Sequence, residues 1–147
     1  MDQRVPDPAL FLPHGPGMRL LDGPGSVVDG WLTFQVRLST ELVVCGEDGV
    51  APAELGLEIM AQACGMAIVI DGRSGSAGAM RGVVGAIRGY EYSTNPLVLS
   101  QSLVARVKRD LVDGNVVVCD AELLHEGETS PLQMARITIV LMGEDFT

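Results

Sequence analysis

The chain has 147 residues, 47% of them hydrophobic and 20% charged, which excludes disorder and fits one domain, 1–147, with a real core. A formal net charge of −9, from 10 basic and 19 acidic residues, argues against a nucleic-acid binder, since phosphate neutralisation needs clustered Lys and Arg. No run reaches the ~18–20 apolar residues of a membrane span, and Met1 to Pro8 lacks the basic-then-apolar order of a signal peptide; a cytoplasmic protein without membrane contact is the expectation.

Aromatic residues make up only 4%, so Val, Leu, Ile, Ala and Met must build the core. Residues 1–24, rich in Pro and Gly, read as an N-terminal arm with one short helical turn near Leu10, Phe11 and Leu12. From Ser26 to Leu38 the pattern is strand-like, and Asp29-Gly30 breaks it as a tight turn or a bulge. Glu41 to Val44 reads as a further short extended piece and Gly46 to Gly49 as a loop.

A helix is predicted from Pro52 to Ile70. Proline suits a first helical turn, where its missing N–H loses nothing, and Glu54 suits the positive end of the dipole. Asp71-Gly72 and the glycine-rich stretch to Gly78 end it. Strands follow at about Gly82–Tyr92, Ser100–Asp110, Asn115–Glu126 and Leu132–Met142, with turn signals at Asp113-Gly114 and Glu126-Gly127-Glu128. One long apolar helix beside a meander of antiparallel strands is covered most economically by a sheet curled around it, an α+β arrangement.

Glu58 stands out within that helix. Apart from Glu54, Gln62 and the glycines, the run is apolar, as a helix buried nearly all round would be. An ionised carboxylate is costly to bury, and a protein that tolerates one often uses it. The plain alternative is a structural acid satisfied by an Arg or by backbone amides. Cys45, Cys64 and Cys119 are an odd count without metal-ligand spacing and read as small core residues in a reducing compartment. No metal or organic cofactor is implied.

Glu58-Ile59-Met60-Ala61-Gln62 resembles the helix motif Glu-x-Met-Ala-Gln of bacterial 3-hydroxyacyl-[acyl-carrier-protein] dehydratases. Leu12-Pro13-His14, continuing through Leu20-Leu21-Asp22, is similar to their Leu-Pro-His-x-x-Pro-hydrophobic-Leu-Leu-hydrophobic-Asp segment. The resemblance runs from about Phe11 to the end and implies the hotdog fold, an antiparallel sheet wrapped around one long buried helix. One departure is clear. The fatty-acid members carry a catalytic His in a His-Phe-Pro-Gly loop before the helix, and Val43 to Gly49 holds no His. The chain is more similar to a branch of dehydratases, including those of aryl-polyene synthesis, that keeps Pro-His near the start and Glu-x-Met-Ala-Gln in the helix.

The resemblance implies dehydration of a 3-hydroxyacyl thioester to a 2-enoyl thioester. Glu58 is then the acid that protonates the leaving hydroxyl, and His14, in place of the missing loop His, the base that takes the C2 proton. The Ala53 N–H is the donor to the thioester carbonyl, and Gln62 orients the carboxyl from one turn on. The plain alternative for His14 is a turn residue capping the arm, and His125 reads as a solvated residue beside a hairpin turn. The substrate carrier is an acyl carrier protein or CoA. Arg106, Lys108 and Arg109 are candidates for meeting an acidic carrier, with Arg81 and Arg88 as others; a solvated strand face is the plain alternative. Hotdog chains pair, so a homodimer or dimer-based oligomer is expected, which also covers an open sheet edge. The rival functions are a hotdog thioesterase, which activates water with the same carboxylate, and a non-catalytic acyl-binding or partner subunit that has lost the loop His.

Overall fold

The computed structural model describes Val5 and residues 7–11, 18–39, 46, 48–70, 81–92, 95–98 and 100–142. In chain order the elements are α1 (Pro8–Phe11), β1 (Leu21–Val28), β2 (Trp31–Val36), β3 (Val50–Ala51), α2 (Leu55–Ile70), β4 (Arg81–Tyr92), β5 (Leu97–Val98), β6 (Leu103–Asp113), β7 (Val116–His125) and β8 (Gln133–Met142). Among the described residues, six strands form one antiparallel sheet in the order β1-β2-β6-β7-β8-β4, and β3 pairs with β5.

The first hairpin closes at Asp29 and Gly30, whose φ angles of 52° and 81° are both positive. A two-residue turn that matches the strand twist demands this, so the break in the pattern is a turn. β1 begins at Leu21, inside the stretch read as arm, and its register shifts between Asp22 and Ser26. An edge position accommodates the proline and glycines of that stretch, because irregular pairing there costs the sheet little. β6 starts three residues later than expected and ends three later. Its start is delayed by a turn in which the Gln101 N–H bonds the Val98 carbonyl at 3.0 Å. At its end Asp113 still pairs with Val116, so the loop is Gly114-Asn115, one place beyond the expected Asp113-Gly114. The β3–β5 ribbon was not anticipated. The extended piece expected at Glu41–Val44 lies outside the described residues.

α2 begins at Leu55, not at Pro52. Residues 52–54 form a tighter lead-in turn, with the Leu55 N–H bonding the Pro52 carbonyl at 3.0 Å and the Gly56 N–H bonding the Ala53 carbonyl at 3.0 Å, the i to i+3 pattern common at helix starts. α2 packs on β2, β6, β7 and β8. Ala121 and Ala135 pair directly across β7 and β8; both are buried, and their small side chains let the helix sit close. Ile59, Met60, Met66 and Ile68 fill the space between helix and sheet, each contributing about 1.5–3 kcal/mol relative to exposure. Burial is not complete all round, as the apolar run had implied. Leu57, Glu58, Ala61, Gly65 and Val69 form a stripe that is only half-buried, because the sheet covers the opposite side of the helix. The result is the expected α+β hotdog arrangement, one long helix held in a curled antiparallel sheet.

Candidate active site

Glu58 lies on the half-buried stripe of α2 and is not the enclosed acid that the sequence implied. Gln62, one turn on and 2% exposed, is the buried polar group of that region. Its Oε1 accepts the Leu20 N–H at 2.9 Å, its Nε2 donates to the Met18 carbonyl at 2.9 Å, and the same Nε2 lies 3.2 Å from Glu58 Oε1. One backbone donor and one backbone acceptor fix which end of the amide is oxygen. The arm is also held from just beyond β2, where the Arg37 N–H bonds the Leu20 carbonyl at 2.7 Å and Arg37 Nη1 the Arg19 carbonyl at 3.1 Å. Residues 18–20 are therefore clamped between the helix and the end of a strand, beside the carboxylate.

Ala53 sits in the lead-in turn, 3% exposed. A second buried amide, Gln133 at the start of β8, donates Nε2–H to the Ala53 carbonyl at 2.7 Å and accepts the Tyr90 hydroxyl on Oε1 at 3.0 Å. Tyr90 stacks on Tyr92 with centroids 4.7 Å apart. Burial, then the neighbouring Tyr92 and Glu54, pushes the Tyr90 phenol above its ordinary value. Sequence reasoning passed over Gln133. A signal existed: Gln133, Ala135, Ile137, Ile139 and Leu141 alternate onto the buried face of β8, so a lone amide stands in an otherwise apolar register.

Arg106 and Lys108 do share one face of β6, flanking Trp31 with cationic atoms 4.5 Å and 5.9 Å from the ring centre. That face is the outer one, since Ala105 and Val107 between and beside them are buried. Arg106 is engaged by Glu122 through Nε at 2.9 Å and Nη2 at 2.6 Å. Arg109 is exposed next to a register shift. A groove of about 440 Å³ on the same outer face is lined by Trp31, Arg88, Asp120, Glu122, Met134 and Arg136. Arg136 bonds Asp120 and Asp110, so the charges there are largely matched, and the sheet separates the groove from Glu58. His125 ends β7, half-buried. His14, Cys45 and the side chain of Arg81 lie outside the described residues.

Cys64 and Cys119 are buried and hydrogen-bonded to each other; that bond and burial push the Cys64 thiol up, while the same bond lowers Cys119. Among the described residues no group of three or more His, Cys, Asp or Glu is placed to hold a metal ion, and no helix is long and apolar enough to cross a membrane.

The fold recurs in solved structures. A chain of the dehydratase heterocomplex ApeI:P from Xenorhabdus doucetiae superposes with a TM-score of 0.76 at 22% identity, over 97% of this chain and 95% of that one. A thioesterase from Pseudomonas aeruginosa, solved as a mutant, gives 0.62 at 14% identity over 96% and 97%. A probable thioesterase from Bartonella henselae gives 0.61 at 20% over 80% and 95%. No curated protein matches by sequence. Hotdog dehydratases and thioesterases share this backbone, so the superpositions establish the fold and the family assignment rests on sequence. The model of the ApeP-like family, described as ApeP dehydratase, matches residues 6–145, and the chain belongs to that family of dehydratases.

Proposed function

We propose that the protein removes water from a 3-hydroxyacyl thioester, carried by an acyl carrier protein or CoA, to give the 2-enoyl thioester. The imidazole of His14 takes a proton from C2, and the C3–O bond breaks as Glu58 donates a proton to the departing hydroxyl. Water leaves and the C2–C3 double bond forms. Charge that develops on the thioester oxygen is met by the Ala53 N–H at the positive end of α2. Imidazole titrates near neutrality and can accept a proton at working pH.

The observation that carries this reading is the clamp made by Gln62. It ties Met18 and Leu20 to the turn of helix that bears Glu58. Position 14 lies four positions before Met18, at most about 14 Å of extended chain, a length that permits the His14 imidazole to approach the carboxylate. From Ala53 in the lead-in turn to Glu58 in α2 the chain advances five positions, roughly 8 Å of rise. With a hydrogen bond of about 3 Å at each end, that interval accepts the three carbons between a thioester oxygen and a 3-hydroxyl.

Glu58→Gln and His14→Ala should each lower the rate of enoyl thioester formation by about 100-fold or more, with the fold retained. Variants as fast as the parent end the assignment. Product identity separates the thioesterase alternative, since free acid and thiol would appear in place of the enoyl thioester.

A second reading, a subunit that works only beside another hotdog chain, is favoured by the heterocomplex of the Xenorhabdus doucetiae protein and by the loop without His. Turnover only after mixing with a second dehydratase chain would select it. In either reading β4 is the natural contact. It ends the sheet and exposes Val83, Val84 and Ile87 at 40–47%, a liability that pairing of two edges removes. For the carrier, Lys108 and Arg109, both exposed, and Arg106 beside them are the candidates for attracting an acidic surface.

A further inference from the structure

Gln133 joins three distant parts of the chain at the entrance to α2. Its Nε2–H reaches the Ala53 carbonyl at 2.7 Å, and its Oε1 holds the Tyr90 hydroxyl at 3.0 Å. The Ala53 carbonyl also accepts the Gly56 N–H at 3.0 Å, so this oxygen is held by two donors. A Cβ on residue 56 would lie 1.9 Å from Gln133 Oε1; the helix lacks a side chain where the amide seats. Fixing the Ala53 oxygen fixes the plane of the peptide that follows it, because peptide units are planar and trans. The N–H of Glu54 belongs to that plane and is aimed opposite to the carbonyl, away from Gln133. The same restraint limits the rotation that relates this N–H to that of Ala53.

We infer that Gln133 is a positioning residue, which locks the 52–54 turn so that the Ala53 and Glu54 N–H groups are presented together to the thioester oxygen, with Tyr90 tying this setting to edge strand β4. The inference rests on the reading that this turn binds the thioester carbonyl. Developing negative charge is stabilised best by donors already aimed at it, and an error of about 1 Å in such a site costs about 100-fold in rate. Because β4 ends the sheet, anything that pairs with it bears on the same hydrogen-bonded chain of Tyr90, Gln133 and Ala53.

Gln133→Glu and Gln133→Leu in the full chain test this, with thermal melts at each pH to establish that the variants are folded. The probe is butyryl-CoA labelled with ¹³C at the carbonyl, which cannot be dehydrated, and the readout is its carbonyl stretching frequency when bound. The parent should lower that frequency relative to water, and Gln133→Leu should return it toward the water value. In Gln133→Glu the protonated carboxyl can still donate to Ala53 and accept from Tyr90, so the lowered frequency should persist at low pH. It should be lost as pH rises and a carboxylate comes to face the Ala53 carbonyl. The kcat for a 3-hydroxyacyl thioester should follow the same pH course, roughly 10- to 100-fold down with KM little changed. Tyr90→Phe should give a smaller loss in the same direction. A frequency and kcat unchanged in folded Gln133→Leu, or a Gln133→Glu defect that ignores pH, overturns the inference. So does a parent that fails to bind the probe or binds it without a shift. A parent that shifts the frequency yet forms no enoyl product sinks only the catalytic reading.

Discussion

Nε2 of Gln62 stands 3.2 Å from Oε1 of Glu58 while it donates to the Met18 carbonyl at 2.9 Å. One buried amide thus connects the acid of the helix motif to the chain that follows the Pro-His motif. The two stretches that carry the family resemblance are physically joined, and the joint itself is testable.

Replacing Gln62 with Leu keeps the volume and removes the joint. The Leu20 N–H then loses its partner in a buried setting, while the Met18 carbonyl, part-buried, can turn to water, at about 1–3 kcal/mol in all. Urea unfolding should show a loss of that size, and limited proteolysis should cut the arm ahead of Met18 faster than in the parent. An arm as resistant as before would mean that Arg37 alone holds it.

Gly56→Ala should be severe for a residue so small. Its Cβ would overlap the Gln133 amide at 1.9 Å, and helix propensity, which favours alanine by about 1 kcal/mol, cannot offset a displaced buried amide. A net loss of about 2–3 kcal/mol is expected. In the double variant with Gln133→Ala the clash is gone, so the two losses should fall well short of additive. Additive losses in thermal or urea melts would show that the close approach does not matter.

Tyr90 gives an alkaline signature. Its phenol is raised from the ordinary 10.0, first by burial and then by Tyr92 and Glu54. The folded state therefore holds the proton more tightly than the unfolded chain. The stability this supplies is complete below about pH 10, the unfolded value, and is lost as pH rises through the raised folded value. Thermal melts from pH 8 to 11 should fall more steeply for the parent than for Tyr90→Phe. Parallel curves would show that burial does not hold the proton of this phenol in the folded state.

β4 predicts assembly. An edge strand of twelve residues with Val83, Val84 and Ile87 exposed should pair with a second copy, so sedimentation should give a dimer. Val84→Lys puts a charge where pairing would bury it and should weaken association about tenfold or more, equivalent to at least about 1.4 kcal/mol. A parent that sediments as a monomer at all concentrations would instead direct β4 toward a different chain.

Much of the architecture could be read from local signals. Asp29-Gly30 marked a break, a turn or a bulge, and the two positive φ angles that few other residue pairs accept made it a turn; the long strands were visible because alternation repeats over ten or more residues. The β3–β5 ribbon was invisible because two paired residues on each side carry no period. The lead-in turn was misread as helix because proline suits either. The degree of burial of Glu58 was overestimated, since an apolar run says how greasy a helix is and not which flank the sheet leaves uncovered.

Residue order alone was enough for the class of fold, the one long helix and the family, because periodicity and short motifs are properties of neighbours along the chain. Folding in three dimensions alone could reveal the amide partnerships. Gln62 meets Leu20 across 42 positions and Gln133 meets Ala53 across 80; such bonds form only where a curled sheet brings the arm against the middle of the helix and β8 against the turn that leads into it, and nothing local encodes that meeting.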